Sequence, residues 1–453
     1  MISPPASRRA LLGWILFDWA AQPFFTLVTT FVYAPYFASA VVADPAQGQA
    51  WWGFATSAAG LTIALLSPLL GAIADAGGPR KPWIAAFGTL LVIGSSLLWL
   101  GRPGDSATVL PVLAAFAIGT IGVEFATVFN NGMMARLVPP ERLGRLSGTG
   151  WAAGYVGGMI SLILTLGFLA ANPETGKTLL GVTPLFGLDA AAREGDRASG
   201  PLSALWFVVF VLPLFLFTPD EARRLPMRQA VRRGLASLVG TVRDLPAHRN
   251  VATFLAANMI YTDGLVALFA FGGIYAAGTF GWSTIEIGIF GILLTITGTI
   301  GAFVGGRLDD RFGAKAVILG SLTMLVLAGI GILSVGRDHV AFVVPTAPPL
   351  AGDGLYGAVA EKVYVALGLF IGVAAGPLQA ASRTLLVRLS PPDRVTQFFG
   401  LFALSGKVTS FLGPFLVGVV TAVTLNQKAG MAVLIAFFCL GAALLLRVET
   451  KAP

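Results

Sequence analysis

The sequence contains few of the residues from which soluble proteins and metalloenzymes are built. Only 11% of its 453 residues are charged, whereas an ordinary soluble domain carries roughly 25%. The single cysteine, Cys439, excludes a disulfide within the chain and a cysteine metal site. The two histidines, His248 and His339, fall in hydrophilic connections, which argues against haem ligation or a metal-dependent hydrolase. We therefore expect neither a metal nor a prosthetic group.

Apolar runs dominate the sequence instead. Hydrophobic residues make up 56% of the chain, and the 56 Gly and 27 Pro also fit membrane helices, where both are more frequent than in soluble ones. Windows of about 20 apolar residues predict an all-α membrane protein with twelve spans. The spans lie near residues 13–40, 51–74, 82–101, 109–135, 147–171, 200–218, 250–278, 284–306, 316–335, 358–386, 398–424 and 430–446.

A basic stretch divides the chain into two halves. Arginine-rich residues 219–249 form a predicted linker between six spans in 1–218 and six in 250–453. Most of the 30 Lys and Arg residues fall on the side of the membrane that holds both termini and this linker, whereas Asp and Glu are spread evenly. Because cytoplasmic loops carry excess Lys and Arg, we predict that this side is cytoplasmic. The net charge of +8 then reflects topology and not a nucleic-acid partner. We expect a monomer surrounded by lipid in a bacterial inner membrane.

Two connections between spans repeat one short motif. Residues 71–81 read GAIADAGGPRK and residues 306–315 read GRLDDRFGAK, so both begin with Gly-x-x-x-Asp and continue to glycine and a base. The glycine lets a neighbouring helix approach, and the acid can cap a helix start or pair with a base. We predict a gating latch at one face of the bundle, a generic charged turn being the alternative. Its residues are Gly71, Asp75, Arg80 and Lys81 in the first copy, and Gly306, Asp310, Arg311 and Lys315 in the second.

A longer pair of segments is also shared between the halves. Residues from Arg136 read RLVPPERLGRLSG, and residues from Arg388 read RLSPPDRVTQFFG. The halves are therefore related copies in parallel order, an internal symmetry found in major facilitator transporters. The Gly-x-x-x-Asp connection also resembles the loop motif of that superfamily. The resemblance implies two pseudo-symmetric six-helix bundles, which is the major facilitator fold.

Three further segments narrow this resemblance. They are FDWAAQPFFTLVTTF from Phe17, NNGMMARLVPPERLGRLSGTGWAAGYVGG from Asn130 and GLFALSGKVTSFLGP from Gly400. All three resemble the bacterial relatives of the autophagy-associated vacuolar amino-acid effluxer. The resemblance implies a twelve-helix transporter, and amino-acid efflux is the best-known activity of the eukaryotic members.

Five ionisable residues are predicted to be buried in the bilayer, where each costs at least about 2.5–3.5 kcal/mol on insertion scales and normally serves a function. They are Asp18, Glu124, Asp263, Arg383 and Lys407, on the first, fourth, seventh, tenth and eleventh spans. The superfamily resemblance implies that the first, fourth, seventh and tenth helices line a central solute path. With three acids and two bases, the set suits a zwitterionic or mildly cationic solute.

Polar residues three, four or seven positions away from these charged residues lie on the same face of their helix. Each charged residue is therefore predicted to belong to a polar stripe along one side of its helix. We predict that Arg383 holds a substrate carboxylate, since guanidinium binds carboxylates bidentately, and that Lys407 assists it or neutralises an acid. Aligning the Pro-Pro repeats places Thr127 opposite Gln379 and Asn131 opposite Arg383. The predicted substrate-binding residues are Gln22, Thr127, Asn131, Asn258, Tyr261, Gln379, Ser382, Arg383 and Lys407.

The three carboxylates are predicted to carry protons, because burial in a low-dielectric cavity favours their neutral form. Asp18 and Glu124 are the favoured carriers, with Asp263 as the third. The alternative is that Asp263 with Arg383, or Glu124 with Lys407, forms a permanent buried pair that only holds the halves together.

The function therefore predicted is secondary active transport of a small polar solute by alternating access. One alternative is efflux of hydrophobic or cationic compounds bound by Phe17, Trp19, Phe24, Phe25, Trp151 and Tyr155. Another is a membrane sensor or enzyme, which the absence of a soluble output domain and of any nucleophile, metal or phosphate-loop motif argues against. Gly150, Gly154, Gly157 and Gly158 resemble the antiporter signature of the superfamily, or serve plain helix packing.

Overall fold

The computed structural model describes residues 6–244, 249–282, 284–349 and 354–450. Over these residues it contains twelve helices long and apolar enough to cross a membrane, which confirms the twelve predicted spans. A thirteenth long helix, α7, lies in the basic stretch, of which 245–248, including His248, are outside the described residues. The helices are α1 Arg8–Val41, α2 Gln47–Gly77, α3 Lys81–Leu100, α4 Ser106–Arg136, α5 Pro140–Leu169, α6 Glu194–Phe217, α7 Met227–Asp244, α8 Arg249–Phe280, α9 Glu286–Phe312, α10 Ala314–Ser334, α11 Val359–Leu389, α12 Val395–Thr424 and α13 Gln427–Leu446.

The chain forms two compact units, and each contains a short segment from the other half of the sequence. Unit 1 comprises 6–139, 153–238 and 393–403, so it includes the first turns of α12. Unit 2 comprises the described residues of 140–152, 239–392 and 404–450, so it includes the first turns of α5. Both segments begin within the shared Pro-Pro sequences. The division of the chain at 219–249 stays a prediction.

Unit 1 is held by close packing of α3 on α4, of α1 on α6 and of α2 on α4. Gly94 of α3 allows this approach, because a Cβ there would meet the backbone of α4 at Gly119. Pro23 lies inside α1, and the helix widens after it into a π-helical stretch, Phe24–Phe31. The Val32 amide accordingly donates to the Leu27 carbonyl, five residues back, at 3.0 Å.

Unit 2 is built around α11, which packs on α9 and α10, while α8 packs on α13. Its helix α12 is broken into Val395–Val408 and Leu412–Thr424. Pro414 explains the break, because it has no N–H to donate to the Ser410 carbonyl and its ring crowds that carbonyl. Just before the proline, Gly413 brings the backbone of α12 against the carbonyl of Asp263 in α8.

Two longer connections carry small local structures. In 172–199, Arg193 donates to Asp196, and this hydrogen bond raises the pKa of the Arg193 guanidinium above its ordinary value. In 336–357, the strands β1 His339–Val340 and β2 Val344–Pro345 form an antiparallel pair. His339 therefore lies in a hydrophilic connection, as the sequence predicts.

The packing of α12 on α8 at this break can be tested by substitution. We expect Gly413→Ala to lower the melting temperature of the purified protein, because the new Cβ would overlap the Asp263 carbonyl at a cost of about 1–3 kcal/mol. The matched control is Gly418→Ala on the same helix segment, where a Cβ meets nothing within 4 Å and the change should be neutral or stabilising. Equal melting temperatures for the two variants would contradict the packing described.

Candidate functional site

The acid of the first Gly-x-x-x-Asp motif caps a helix from the second half of the sequence. Asp75 is 5% exposed and accepts hydrogen bonds from the amides of Thr396 at 3.3 Å and Gln397 at 2.7 Å, at the start of α12. The same carboxylate forms an ion pair with Arg80. First-turn amides have no partner within their own helix and carry a partial positive charge, so a carboxylate stabilises them.

The glycines of the first motif make this arrangement possible. A Cβ at Gly71 would collide with the Thr396 carbonyl, so only glycine lets the start of α12 approach α2 this closely. Gly78 has a φ of +107°, a conformation that L side chains rarely adopt. It turns the chain so that the Arg80 guanidinium reaches back to Asp75 and to the Gly78 carbonyl.

Two acids that the motif analysis did not include complete the cluster around Arg80. Asp220 accepts from the amides of Arg80 and Lys81, each at 2.8 Å, and thereby caps the start of α3. The Lys81 ammonium donates to the Phe215 carbonyl at 2.9 Å. Glu221 lies at ion-pair distance from three arginines: Arg80 at 2.7 Å, Arg136 at 3.0 Å and Arg224 at 2.6 Å. We call these residues, with Asp75, the Asp75 cluster.

The second motif copy has different partners. Asp310, which the sequence pairs with Asp75, accepts from the Arg145 amide at 3.1 Å near the start of α5, and Arg145 Nε lies 3.6 Å from its carboxylate. The buried ion is its neighbour Asp309, which is 1% exposed, accepts from the Thr384 hydroxyl and pairs with Arg388. Sequence reasoning missed Asp309, although Arg388 and Arg136 hold equivalent positions in the Pro-Pro repeat.

The remaining bases of the second copy do not pair with Asp310. Arg311 is exposed, and its guanidinium lies over the Phe312 ring. Lys315 donates to the carbonyls of Leu446 and Val448, at 3.0 and 2.7 Å, where α13 ends. A cation stabilises the unsatisfied carbonyls of a helix C-terminus, so Lys315 serves as a cap there. Like Gly71, Gly306 is at a close helix approach, against Gly144 and Gly148 of α5.

In unit 1, the predicted polar residues of α1 face α5. A Cβ at Gly154 would meet Asp18, and one at Gly158 would meet Gln22. A Cβ at Gly157 would likewise meet Trp19, so these glycines serve the packing of α5 on α1. Asp18 and Gln22 are both half-buried.

The stripe on α4 is also in unit 1. Glu124 and Thr127 are half-buried, Asn131 is buried, and the Thr127 hydroxyl donates to the Val123 carbonyl at 2.8 Å. Beside Asn131, the carbonyl of Asn130 accepts from the Trp14 indole of α1 at 2.8 Å. This hydrogen bond brings α1 and α4 together one helical turn from Asp18.

In unit 2, polar side chains join α8 to α11 and α12. The Tyr261 and Ser382 hydroxyls are 2.7 Å apart and both buried, and the Asn258 amide donates to the Ser405 hydroxyl at 3.4 Å. Gln379, one turn from Ser382, donates to the carbonyl of Ala375 at 3.3 Å. The structure therefore brings Asn258, Tyr261 and Ser382 to one side of unit 2.

Arg383 is held by the first turns of α5. Its side chain is 4% exposed and donates to Ser147, from Nε to Oγ at 3.1 Å and from Nη2 to the carbonyl at 2.8 Å. The Trp151 ring lies 5.3 Å from the guanidinium carbon, within the range of a cation–π contact. Lys407 lies half-buried in the last turn before the break in α12.

Asp263 lies apart from Tyr261. At about 100° per residue, their side chains point about 160° apart on α8. Asp263 is 1% exposed and lies beside Thr409 at the break in α12, and among the described residues its Oδ1 has no hydrogen-bond donor. A buried carboxylate oxygen without a donor costs several kcal/mol, so its charge requires a proton or a cation from elsewhere.

Three of the six aromatic residues proposed for hydrophobic ligands pack between helices of unit 1. Phe17 meets Phe207 edge-on at 6.0 Å, and Phe24 stacks on Phe116 at 6.4 Å. Trp19 stacks on Trp206 at 5.8 Å. These contacts give the rings a packing role that explains their burial.

Known proteins resemble this chain along most of its length. A transporter of Bacillus subtilis described as the uncharacterized MFS-type transporter YxiO is 25% identical over 442 residues, 96% of this chain and 93% of that protein. Autophagy-related protein 22 of Cryptococcus neoformans is 26% identical over 315 residues, 68% of this chain. The chain spans about half the length of that fungal protein, 50%.

Solved structures show the fold. The human organic anion transporter MFSD10 superposes with a TM-score of 0.67 and 17% identity, covering 98% of this chain and 100% of that chain. The fucose:proton symporter FucP of E. coli superposes with a TM-score of 0.65 and 15% identity, covering 98% of each chain. The predicted major facilitator fold is therefore confirmed.

The family itself is shown by a family model that matches residues 140–452, well over half of the chain. That model is described as "Vacuole effluxer Atg22 like". The Bacillus subtilis relative and the structural neighbours above are described as transporters. The chain therefore belongs to the Atg22-like vacuole effluxer family of major facilitator transporters and is not an enzyme.

Proposed function

We propose that this transporter moves a small zwitterionic solute, an amino acid or a similar compound, by proton-coupled alternating access. The description of its family as effluxers supports a solute carrier, and the resemblance of the bacterial members to an amino-acid effluxer suggests the solute class. The three acids and two bases inside the spans are matched to a solute that bears one charge of each sign.

The observation that carries the proposal is the environment of Asp263. In the hydrocarbon region an unpartnered carboxylate is stable only when it binds a proton or cation, and release of that ion requires a change in its surroundings. Asp263 lies beside a broken helix, the place where transporters commonly bind coupling ions. In this proposal Asp263 exchanges a proton during transport, and Asp18 and Glu124 provide two further protonatable groups on α1 and α4.

The solute carboxylate is assigned to Arg383. Its guanidinium donates to the two oxygens of Ser147, and a carboxylate offers two oxygens in the same fork geometry with a full negative charge. Asn258, Gln379, Ser382 and Lys407 contribute polar groups from unit 2, and Tyr261 holds α8 to α11 through Ser382. Gln22, Thr127 and Asn131 are the corresponding groups of unit 1.

The Gly-x-x-x-Asp motifs are proposed to act as latches. Asp75 holds the start of α12 and Asp310 holds the start of α5, so each acid must release a helix start when those segments move. Asp309 with Arg388 takes the part in unit 2 that Asp75 with Arg80 takes in unit 1.

The cellular setting follows from charge and topology. We place the protein in a bacterial inner membrane, with both termini on the cytoplasmic side where Lys and Arg are concentrated. It works as a monomer, with the solute, protons and membrane lipid as its partners, and without a prosthetic group.

Replacing Asp263 tests the coupling. We expect Asp263→Asn in liposomes to lose accumulation of a labelled zwitterionic amino acid driven by a pH gradient, by about tenfold or more, because the amide cannot bind and release a proton. Exchange of labelled for unlabelled amino acid at equal pH should persist, and the same pattern is expected for Asp18→Asn and Glu124→Gln. Asp393→Asn, which removes an exposed carboxylate, is the matched control. Normal accumulation by Asp263→Asn would refute its assignment.

The proposed latches can be tested with three variants whose expected losses of stability differ. Asp75→Asn removes the buried carboxylate that caps α12 and leaves the buried Arg80 with Glu221 as its acidic partner, and Asp309→Asn removes the buried partner of the half-buried Arg388, so each change should cost about 3 kcal/mol. Asp310→Asn removes a longer ion pair to an exposed arginine and should cost about 1 kcal/mol or less. Melting temperatures and exchange rates should therefore fall clearly for the first two and little for the third. Equal losses of melting temperature and exchange rate in Asp75→Asn and Asp310→Asn would contradict the structure. They would indicate that the two acids of the repeated motif have equivalent roles.

Arg383 is tested by separating binding from stability. Arg383→Lys should raise the apparent KM for the amino acid about tenfold, because an ammonium cannot bind a carboxylate bidentately. Ser147→Ala removes one acceptor of Arg383 without touching the guanidinium and should leave KM within about twofold. If both variants change melting temperature alone, Arg383 has a packing role and the carboxylate assignment is wrong.

A further inference from the structure

The linker helix α7, Met227–Asp244, carries an unusual distribution of charge. Between Ala222 and Arg243 the sequence contains no acidic residue, while arginines recur throughout. The transport mechanism proposed above uses none of the arginines of α7 itself. Their positions on the helix nevertheless follow a regular pattern.

One face of α7 is occupied by unit 1. Ala230 is fully buried, and a Cβ at Gly234 would meet Ile73 of α2. On the same face, the Ser237 hydroxyl donates to the Gln397 side chain at 3.1 Å. Because Ile73 lies in the last turns of a membrane span, this packing fixes α7 at the level where that span leaves the membrane.

A second face is apolar and exposed. Met227, Leu235 and Val239 are 53%, 45% and 67% exposed, and their separations of four and eight residues place them along one side of the helix. At about 100° per residue, the middle of this side is about 110° from the face that packs on unit 1. The diametrically opposite side carries Gln229 and Arg233, both exposed.

Two arginines lie at the apolar side. Arg228 and Arg232 are exposed; around the helix Arg228 lies between Leu235 and Val239, and Arg232 lies just beyond Val239, away from the face that packs on unit 1. Long basic side chains can extend from such positions to phosphate groups while their aliphatic stems cover apolar surface. The order around the helix is thus protein contact, apolar side with its two arginines, and polar side, as expected for a helix lying in the membrane interface beside the protein.

We propose that α7 is a binding site for anionic phospholipid. Arg228 and Arg232 bind the lipid phosphates, and the upper acyl region covers Met227, Leu235 and Val239. Charge selects the lipid, because a basic segment without acidic residues attracts anionic headgroups, whereas zwitterionic headgroups carry no net charge to attract.

The site is connected to the Asp75 cluster through the residues that precede α7. Arg224 pairs with Glu221 at 2.6 Å and donates to the Asp75 carbonyl at 3.2 Å. Glu221 in turn pairs with Arg80. A lipid that holds α7 in place therefore also steadies the cluster that caps α12.

Site-directed fluorescence tests where the apolar side lies, without any transport assay. In a Cys439→Ser background, Leu235→Cys and its opposite-face control Gln229→Cys are labelled with an environment-sensitive dye, and the full chain is placed in phosphatidylcholine vesicles containing phosphatidylglycerol. We expect brominated acyl chains to quench the Leu235 label at least about threefold more than the Gln229 label. Equal quenching, or equal access of aqueous iodide to both labels, would overturn the proposal and indicate a surface for water or a soluble protein.

Lipid selectivity is tested with a double variant at the apolar side and a single control variant on the polar side. Arg228→Gln with Arg232→Gln should weaken retention of phosphatidylglycerol by the detergent-purified protein, measured by native mass spectrometry, by about tenfold. Arg233→Gln, on the polar side, should retain it as the wild type does. Unchanged retention in the double variant, or an equal loss in Arg233→Gln, would refute a specific site.

Discussion

A charge buried away from water must be held by other polar groups, and this constraint organises the structure. Asp75 meets it with Arg80 and two backbone amides, and Asp309 meets it with Arg388 and a threonine hydroxyl. In both cases at least one partner comes from a helix that is far away in sequence. These buried acids therefore hold the helices together, because separating an acid from its partners would leave a buried charge without compensation.

Asp263 departs from this rule and so marks a different role. Within the part of the chain that the structure describes, its Oδ1 has no donor, and Asp263 adjoins the break that Pro414 makes in α12. A structural acid would be expected to have its hydrogen bonds completed, as at Asp75. The contrast between satisfied acids at the helix ends and an unsatisfied acid within a span separates the residues that hold the fold from the one assigned to coupling.

The sequence predicts the spans and the fold well, because both depend on local composition and on a repeat visible by inspection. It predicts less of the site. Asp309 and Asp310 are adjacent, and only the helix orientation decides which one faces Arg388. Glu221 and Ser147 gain their importance from distant partners, which no local pattern reveals. A signal of these ion pairs was nevertheless present in the sequence. Arg136 and Arg388 occupy equivalent positions in the Pro-Pro repeat, and both pair with acids outside that repeat.

The most direct test of the central claim, that a buried carboxylate couples solute and proton movement, uses the unmodified protein in liposomes with a pH-sensitive dye trapped inside. A zwitterionic amino acid is added outside with no initial pH difference, and protein-free vesicles serve as the reference. The account predicts that entry of labelled amino acid is accompanied by a change in internal pH. Amino-acid entry at constant internal pH would contradict it.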